Sequence, residues 1–165
     1  MVFVAAALVV LFVLLQGAFA EPGMQFAIYP YGILALVLVF RASPASRFPL
    51  AALLGLVADL FSAGRFGAFS LAFALSYFPA QLVSKYLSAE YSFSRFIITF
   101  VFVFSVQLFC FLIGDTSASL RMFPAFFPFI IYTALANGLL ALALWPLFSW
   151  ILTSPGKKLR MTWAD

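Results

Sequence analysis

The stretch FIITFVFVFSVQLFCFLIG, at positions 96–114, holds nineteen residues without one charged side chain. An apolar run of about 20 residues is long enough to cross the ~30 Å hydrocarbon core of a bilayer as an α-helix. Similar runs recur along the chain and are separated by short turns that contain proline, glycine and charged residues. The sequence therefore predicts six spanning helices, at about 1–20, 28–40, 49–62, 66–84, 96–114 and 129–152.

The composition of the whole chain also favours a membrane protein. Of its 165 residues, 66% are hydrophobic and 8% are charged, whereas soluble domains carry about 25% charged residues. A soluble fold of this size has too little interior to hide so much apolar surface. We therefore predict an all-α integral membrane protein, in which residues 1–165 form a single six-helix transmembrane bundle.

The residue types that are missing exclude several classes of function. The chain has no histidine and one cysteine, Cys110, which excludes histidine-based catalysis, histidine metal sites and an internal disulfide. Its basic residues are mostly scattered singly, unlike the dense basic face that nucleic-acid binding requires. We expect a protein that is not an enzyme, with no cofactor, no metal and no nucleic-acid partner, surrounded by the lipid bilayer.

The distribution of charge predicts the orientation of the spans. If the amino terminus is cytoplasmic, the inner segments hold seven basic residues and the outer segments hold two, as the positive-inside rule expects. Aromatic residues fall near both predicted interfaces. They are Tyr29 and Tyr31 at the outer one and Trp145, Trp150, Trp163, Tyr86 and Tyr91 at the inner one. This pattern predicts a multi-pass protein with both termini in the cytoplasm.

The segment 1–20 admits a second interpretation, because Ala18-Phe19-Ala20 is similar to a signal-peptidase site. However, no basic residue precedes the apolar run, and the run is long for a signal peptide. We expect this segment to be the first spanning helix.

Asp59 is the polar residue that most needs an explanation, since it lies inside a predicted span in the segment GLVADLFSAGRFG at positions 55–67. A charge at the centre of a membrane helix costs ~2.5–3.5 kcal/mol, and the cost falls toward the helix end, where Asp59 lies. Gly55 is one turn earlier on the same face and permits close approach of a neighbouring helix. Gly64 and Gly67 flank Arg65 in a turn where glycine permits positive φ.

Three roles are open for Asp59. Its carboxylate can accept hydrogen bonds from backbone N–H groups at the start of the fourth span or pair with Arg65, which would be a structural role. It can instead contact a partner or a ligand directly. A catalytic role would need a second acid or a nucleophile at useful spacing, and the sequence places none there. We expect the structural role.

The segment 55–67 resembles a motif of MreD, the small membrane subunit of the bacterial rod-shape system, or elongasome. In that family an aspartate follows a glycine by four residues, and a serine–glycine turn and a further glycine precede the next span. This chain matches the motif at Gly55, Asp59, Ser62 and Gly67. It departs in the turn, where Ala63 replaces the usual glycine and Gly64 follows. Chain length, six spans, a short third span and the basic turn before it extend the resemblance to nearly the whole chain. The candidate structural or partner-contact residues are Gly55, Asp59, Ser62, Gly64, Arg65 and Gly67.

The resemblance implies a non-enzymatic scaffold for peptidoglycan synthesis in the bacterial cytoplasmic (inner) membrane. Proteins of this family bind MreC, a single-span protein with a periplasmic domain. Through MreC they are linked to MreB filaments and to the RodA glycosyltransferase with its transpeptidase. Their fold is similar to that of the substrate-binding subunits of energy-coupling-factor transporters.

Such a vitamin-binding transporter subunit is the alternative function. Those subunits often carry alanines at regular spacing on the first span, whereas Ala5, Ala6 and Ala7 are consecutive here. A vitamin pocket also requires several convergent polar groups, and Asp59 with Arg65 is a small set. A small intramembrane enzyme is a third class, which the missing site residues disfavour. We therefore expect the scaffold.

Overall fold

The computed structural model of the protein describes residues 30–60, 66–87, 91–113 and 116–152. For residues 116–122 it describes the backbone, and for the other residues it also describes the side chains. Over these residues the chain is helical, which confirms the all-α prediction for this part of the protein. The helices are α1 (Pro30–Arg41), α2 (Pro44–Leu60), α3 (Ala68–Tyr86), α4 (Ser92–Ile113) and α5 (Thr116–Ile151). They correspond to the second through sixth predicted spans, and the first predicted span, 1–20, lies outside the described residues.

Two of these helices are long and apolar enough to cross a membrane. They are α4, with 22 residues, and the part of α5 from Phe123 to Ile151, with 29 residues. α1 is also apolar but has 12 residues, or about 18 Å of helix, which is less than the ~30 Å hydrocarbon core. The two long helices favour association with a membrane, and the number of passes stays a prediction.

The start of α2 differs from the prediction. The helix begins at Pro44, whereas the sequence predicted a polar turn until Pro49. Proline suits the first helical position, because its φ is already helical and its missing N–H is not needed there. The preceding Ser43 closes the first turn, since its carbonyl accepts the N–H of Ser46 at 2.9 Å. Pro49 therefore lies inside α2, where it is exposed.

The start of α5 also differs from the prediction. The sequence predicted a turn after residue 114 and a span from residue 129. Instead, one helix begins at Thr116 and continues through Pro124, Pro128 and Pro146. All three prolines are exposed, so their rings and the backbone bonds that they remove lie away from the core. The prediction that a proline marks a helix end is therefore wrong for this segment.

The five helices pack as antiparallel neighbours in chain order, and α1 is also in contact with α4 and α5. α1 is buried along nearly its whole length, as expected for a helix that is apolar on all sides. At its start, the Tyr31 hydroxyl donates to the Leu54 carbonyl of α2. At its other end, Phe40 packs against Trp145 of α5, with ring centroids 6.5 Å apart.

Two aromatic residues are therefore not where the sequence predicted them. Tyr31 and Trp145 were expected at the membrane interfaces, but they are 2% and 1% exposed and belong to the core. Both lie on helices that pack against several neighbours, so their large side chains fill the space between helices.

α4 and α5 pack closely because α5 presents small side chains to α4. A Cβ atom at Gly138 would lie 2.9 Å from the ring of Phe96. Ala134 and Ala141, one turn before and after, are completely buried. Small residues at this spacing let two helix backbones approach, so this face fixes the position of α5 beside α4.

Candidate site at the junction of α2 and α3

Asp59 lies in the last turn of α2 and is 3% exposed. Its Oδ1 atom accepts a hydrogen bond from the backbone N–H of Phe69 at 2.9 Å. Its Oδ2 atom accepts one from the backbone N–H of Ser70, also at 2.9 Å. Phe69 and Ser70 are the second and third residues of α3, so the carboxylate ties the end of one helix to the start of the next.

The Asp59 carboxylate accepts the hydrogen bonds that an N-cap side chain of α3 would accept. The N-cap residue itself is Gly67, which has φ 90° and no side chain. The N–H groups of the second and third helical residues are those that an N-cap Ser, Asp or Asn would satisfy. A carboxylate is also favoured at this end of a helix by the helix dipole. The geometry is that of the structural role expected for Asp59.

Gly55 makes this arrangement sterically possible. A Cβ atom at Gly55 would lie 2.5 Å from the carbonyl oxygen of Phe69 and 2.6 Å from the Cα of Ser70. Both are backbone atoms of the first turn of α3. Any side chain at position 55 would therefore separate the helices and lengthen the hydrogen bonds to Asp59.

A further hydrogen bond lies on the same side of α2. The Ser70 hydroxyl donates to the carbonyl of Ala52 at 3.0 Å. Ala52, Gly55 and Asp59 are spaced by three and four residues, so they share one face of the helix. We call the set that meets here the α2–α3 junction; it comprises Ala52, Gly55, Asp59, Gly67, Phe69 and Ser70.

The structure brings together three of the six predicted site residues. Gly55 and Asp59 meet the first turn of α3, and Gly67 provides the positive φ from which that helix starts. The other three, Ser62, Gly64 and Arg65, lie outside the described residues. The pairing of Asp59 with Arg65 therefore stays a prediction.

Sequence reasoning missed Ser70 and Ala52. Ser70 contributes its backbone N–H and its hydroxyl, and Ala52 contributes a carbonyl. With the start of α3 at Ala68, the N-cap rule would have pointed to Phe69 and Ser70 as the donors. Nothing local to Ala52 marks its carbonyl as an acceptor.

The α2–α3 junction stabilises the start of α3. Each carboxylate oxygen of Asp59 accepts a backbone N–H. Over the ranges that the structure describes, no three His, Cys, Asp or Glu side chains come together as a metal site would require.

Over the described residues, the fold and the junction define a helical protein with two helices long and apolar enough to cross a membrane and a buried aspartate that joins two helices. Comparison of the chain with protein-family models, with curated proteins and with solved structures finds no match.

Proposed function

We propose that this protein is a multi-pass, non-enzymatic scaffold of the MreD type, which acts in cell-wall elongation in the bacterial inner membrane by binding an MreC-like protein. The observation that supports the proposal is the α2–α3 junction. Gly55, Asp59 and Gly67 carry the resemblance to that family, and each has a separate physical part in joining α2 to α3.

The use of the carboxylate favours a scaffold over an enzyme. Two backbone N–H groups donate to the Asp59 oxygens, so the carboxylate is used to join α2 to α3. The result is a helix pair held at a defined distance. A rigid helix pair suits a protein whose work is to hold a partner in place.

The outer surface of the helix pair suits contact with lipid or with another membrane helix. Leu53 and Leu60 of α2 and Leu71, Phe78 and Leu82 of α3 are all exposed. Through the MreC-like protein, the scaffold would be linked indirectly to MreB-like filaments and to RodA with its transpeptidase.

The proposed orientation can be tested with reporter fusions. We expect a fusion after Ser43, between α1 and α2, to report the cytoplasm, and a fusion after Asp115, before α5, to report the periplasm. The expectation rests on the predicted excess of basic residues at the inner side. The opposite result at either position would contradict the proposed topology.

The proposed partner can be tested by co-purification from native membranes. The tagged protein should recover an MreC-like protein at near-stoichiometric yield, and an unrelated multi-pass protein with the same tag should not. Recovery of an ATPase pair with a bound vitamin would favour the transporter-subunit alternative. Recovery of neither would count against both functions.

A further inference from the structure

Basic side chains collect at one end of the helix bundle. Arg41 ends α1, Arg47 lies in the first turns of α2, Lys85 lies in the last turn of α3 and Arg95 lies in the first turn of α4. Because consecutive helices are antiparallel, these four helix ends meet on the same side. We call this side the basic end.

Contacts between helices establish that these ends coincide. Arg41 Nη2 donates to the Ser149 carbonyl in the last turns of α5 at 2.9 Å, which brings the ends of α1 and α5 together. Phe48 near the start of α2 packs on Phe78 in the second half of α3, with ring centroids 5.5 Å apart. The basic end therefore includes the end of α5 as well.

Large aromatic side chains are exposed at the same end. Tyr86 is 82% exposed, Trp150 76%, Tyr91 70% and Phe93 69%. Tyr and Trp concentrate at the level of lipid headgroups, where the ring contacts apolar chains and the polar edge contacts water. Aromatic residues next to basic ones are thus placed as they would be at a membrane surface.

Charge in the sequence is biased in the same direction. Within the described ranges, the basic end holds four basic residues and no acidic one. At the opposite end, the acidic residue within the described ranges is Asp59, which is buried in the α2–α3 junction. A net positive surface at one end attracts an anionic leaflet, and each basic residue near the surface adds to the attraction.

We propose that the basic end binds the headgroups of anionic phospholipids, such as phosphatidylglycerol, in preference to zwitterionic ones. The inference rests on the proposed membrane location but does not depend on the MreC-like partner. Arg47 is positioned for this role, because its Nε–H donates to the Ala42 carbonyl at 3.2 Å and its terminal nitrogens supply further donors to a phosphate. Lys85 is exposed beside Tyr86 and supplies a flexible ammonium group.

The experiment measures lipid preference by quenching of tryptophan fluorescence. The full chain is studied in a Trp163→Phe background, which leaves Trp150 exposed and Trp145 buried, so that Trp150 is the accessible reporter. It is reconstituted in vesicles that mix phosphatidylcholine with phosphatidylglycerol. One or the other lipid carries brominated chains. We expect phosphatidylglycerol to be preferred by at least about tenfold in low salt, and the preference to fall as ionic strength rises.

Lys85→Gln and Arg121→Gln each remove one positive charge, so they form a matched pair of variants. Lys85→Gln at the basic end should lower the preference by up to about fivefold, as expected for one surface charge, and Arg47→Gln combined with it should lower the preference further. Arg121→Gln, near the start of α5 at the opposite end, should leave the preference unchanged.

Each remaining outcome counts against the proposal. Equal quenching by both brominated lipids would overturn it while leaving the membrane location intact. An equal loss of preference in Arg121→Gln and Lys85→Gln would show that net charge and not the basic end selects the lipid. Quenching by neither lipid would overturn the lipid proposal and the proposed membrane location together.

Discussion

Gly55→Ala is expected to lower the yield of folded protein more than Gly67→Ala or Gly138→Ala. The added Cβ would lie 2.5 Å from the Phe69 carbonyl oxygen and 2.6 Å from the Ser70 Cα. Because both are backbone atoms, the clash can be relieved only by moving α3 away from α2. Overpacking of this kind costs about 1–3 kcal/mol, sometimes more, and the movement would also stretch the hydrogen bonds to Asp59. Yield of monodisperse protein in mild detergent and the midpoint of thermal unfolding measure the effect.

Gly138 and Gly67 provide the controls for Gly55. At Gly138 the added Cβ would meet the ring of Phe96 at 2.9 Å, and a side chain can turn aside, so Gly138→Ala should be milder. At Gly67 no atom lies within 4 Å, but φ is +90°, so Gly67→Ala should cost about 1–2 kcal/mol through backbone strain alone. If Gly55→Ala were no worse than Gly138→Ala, close contact between α2 and α3 would not be what the glycine provides.

Asp59→Ala is expected to have the second large effect on folding. It removes both acceptors and leaves the N–H groups of Phe69 and Ser70 unpaired at the partly buried start of α3. An unsatisfied buried donor costs about 1–3 kcal/mol. Asp59→Asn retains one acceptor oxygen and should lose less. The same yield and thermal midpoint in detergent rank the variants.

Partner binding separates the structural role of Asp59 from direct contact. Ser70→Ala is the matched control, because it removes the hydroxyl bond to Ala52 but keeps the N–H that Asp59 accepts, so its cost should be about 0.5–1.5 kcal/mol. If Asp59→Ala folded normally but no longer retained the MreC-like protein, the carboxylate would be a partner contact. That result would contradict the structural role that we assign to it.

Much of the helical architecture could be predicted from local sequence. α3 and α4 begin and end within a few residues of their predicted bounds, because uncharged runs with turn residues on both sides are local signals. Gly55, Asp59 and Gly67 could also be selected as candidates, because a charge in an apolar run and glycines around a turn stand out from their neighbours.

Tertiary packing decided the features that the sequence misplaced. Pro44 could be recognised as the first residue of α2 only once the structure showed where that helix begins. α5 continues through Pro124 and Pro128, and both prolines lie on its exposed side. Tyr31 and Trp145 have the composition of interface residues but are buried where α1 meets α2 and α5.

The sequence by itself determined that the described chain is helical and that a buried carboxylate near the end of α2 needs partners, since both follow from residue type and local spacing. Only the tertiary structure decided which partners those are. The N–H groups of Phe69 and Ser70 are ten and eleven residues beyond Asp59, and no periodic pattern links them to it. They meet the carboxylate because Gly55 lets the first turn of α3 approach the backbone of α2, and that distance depends on how the two helices pack.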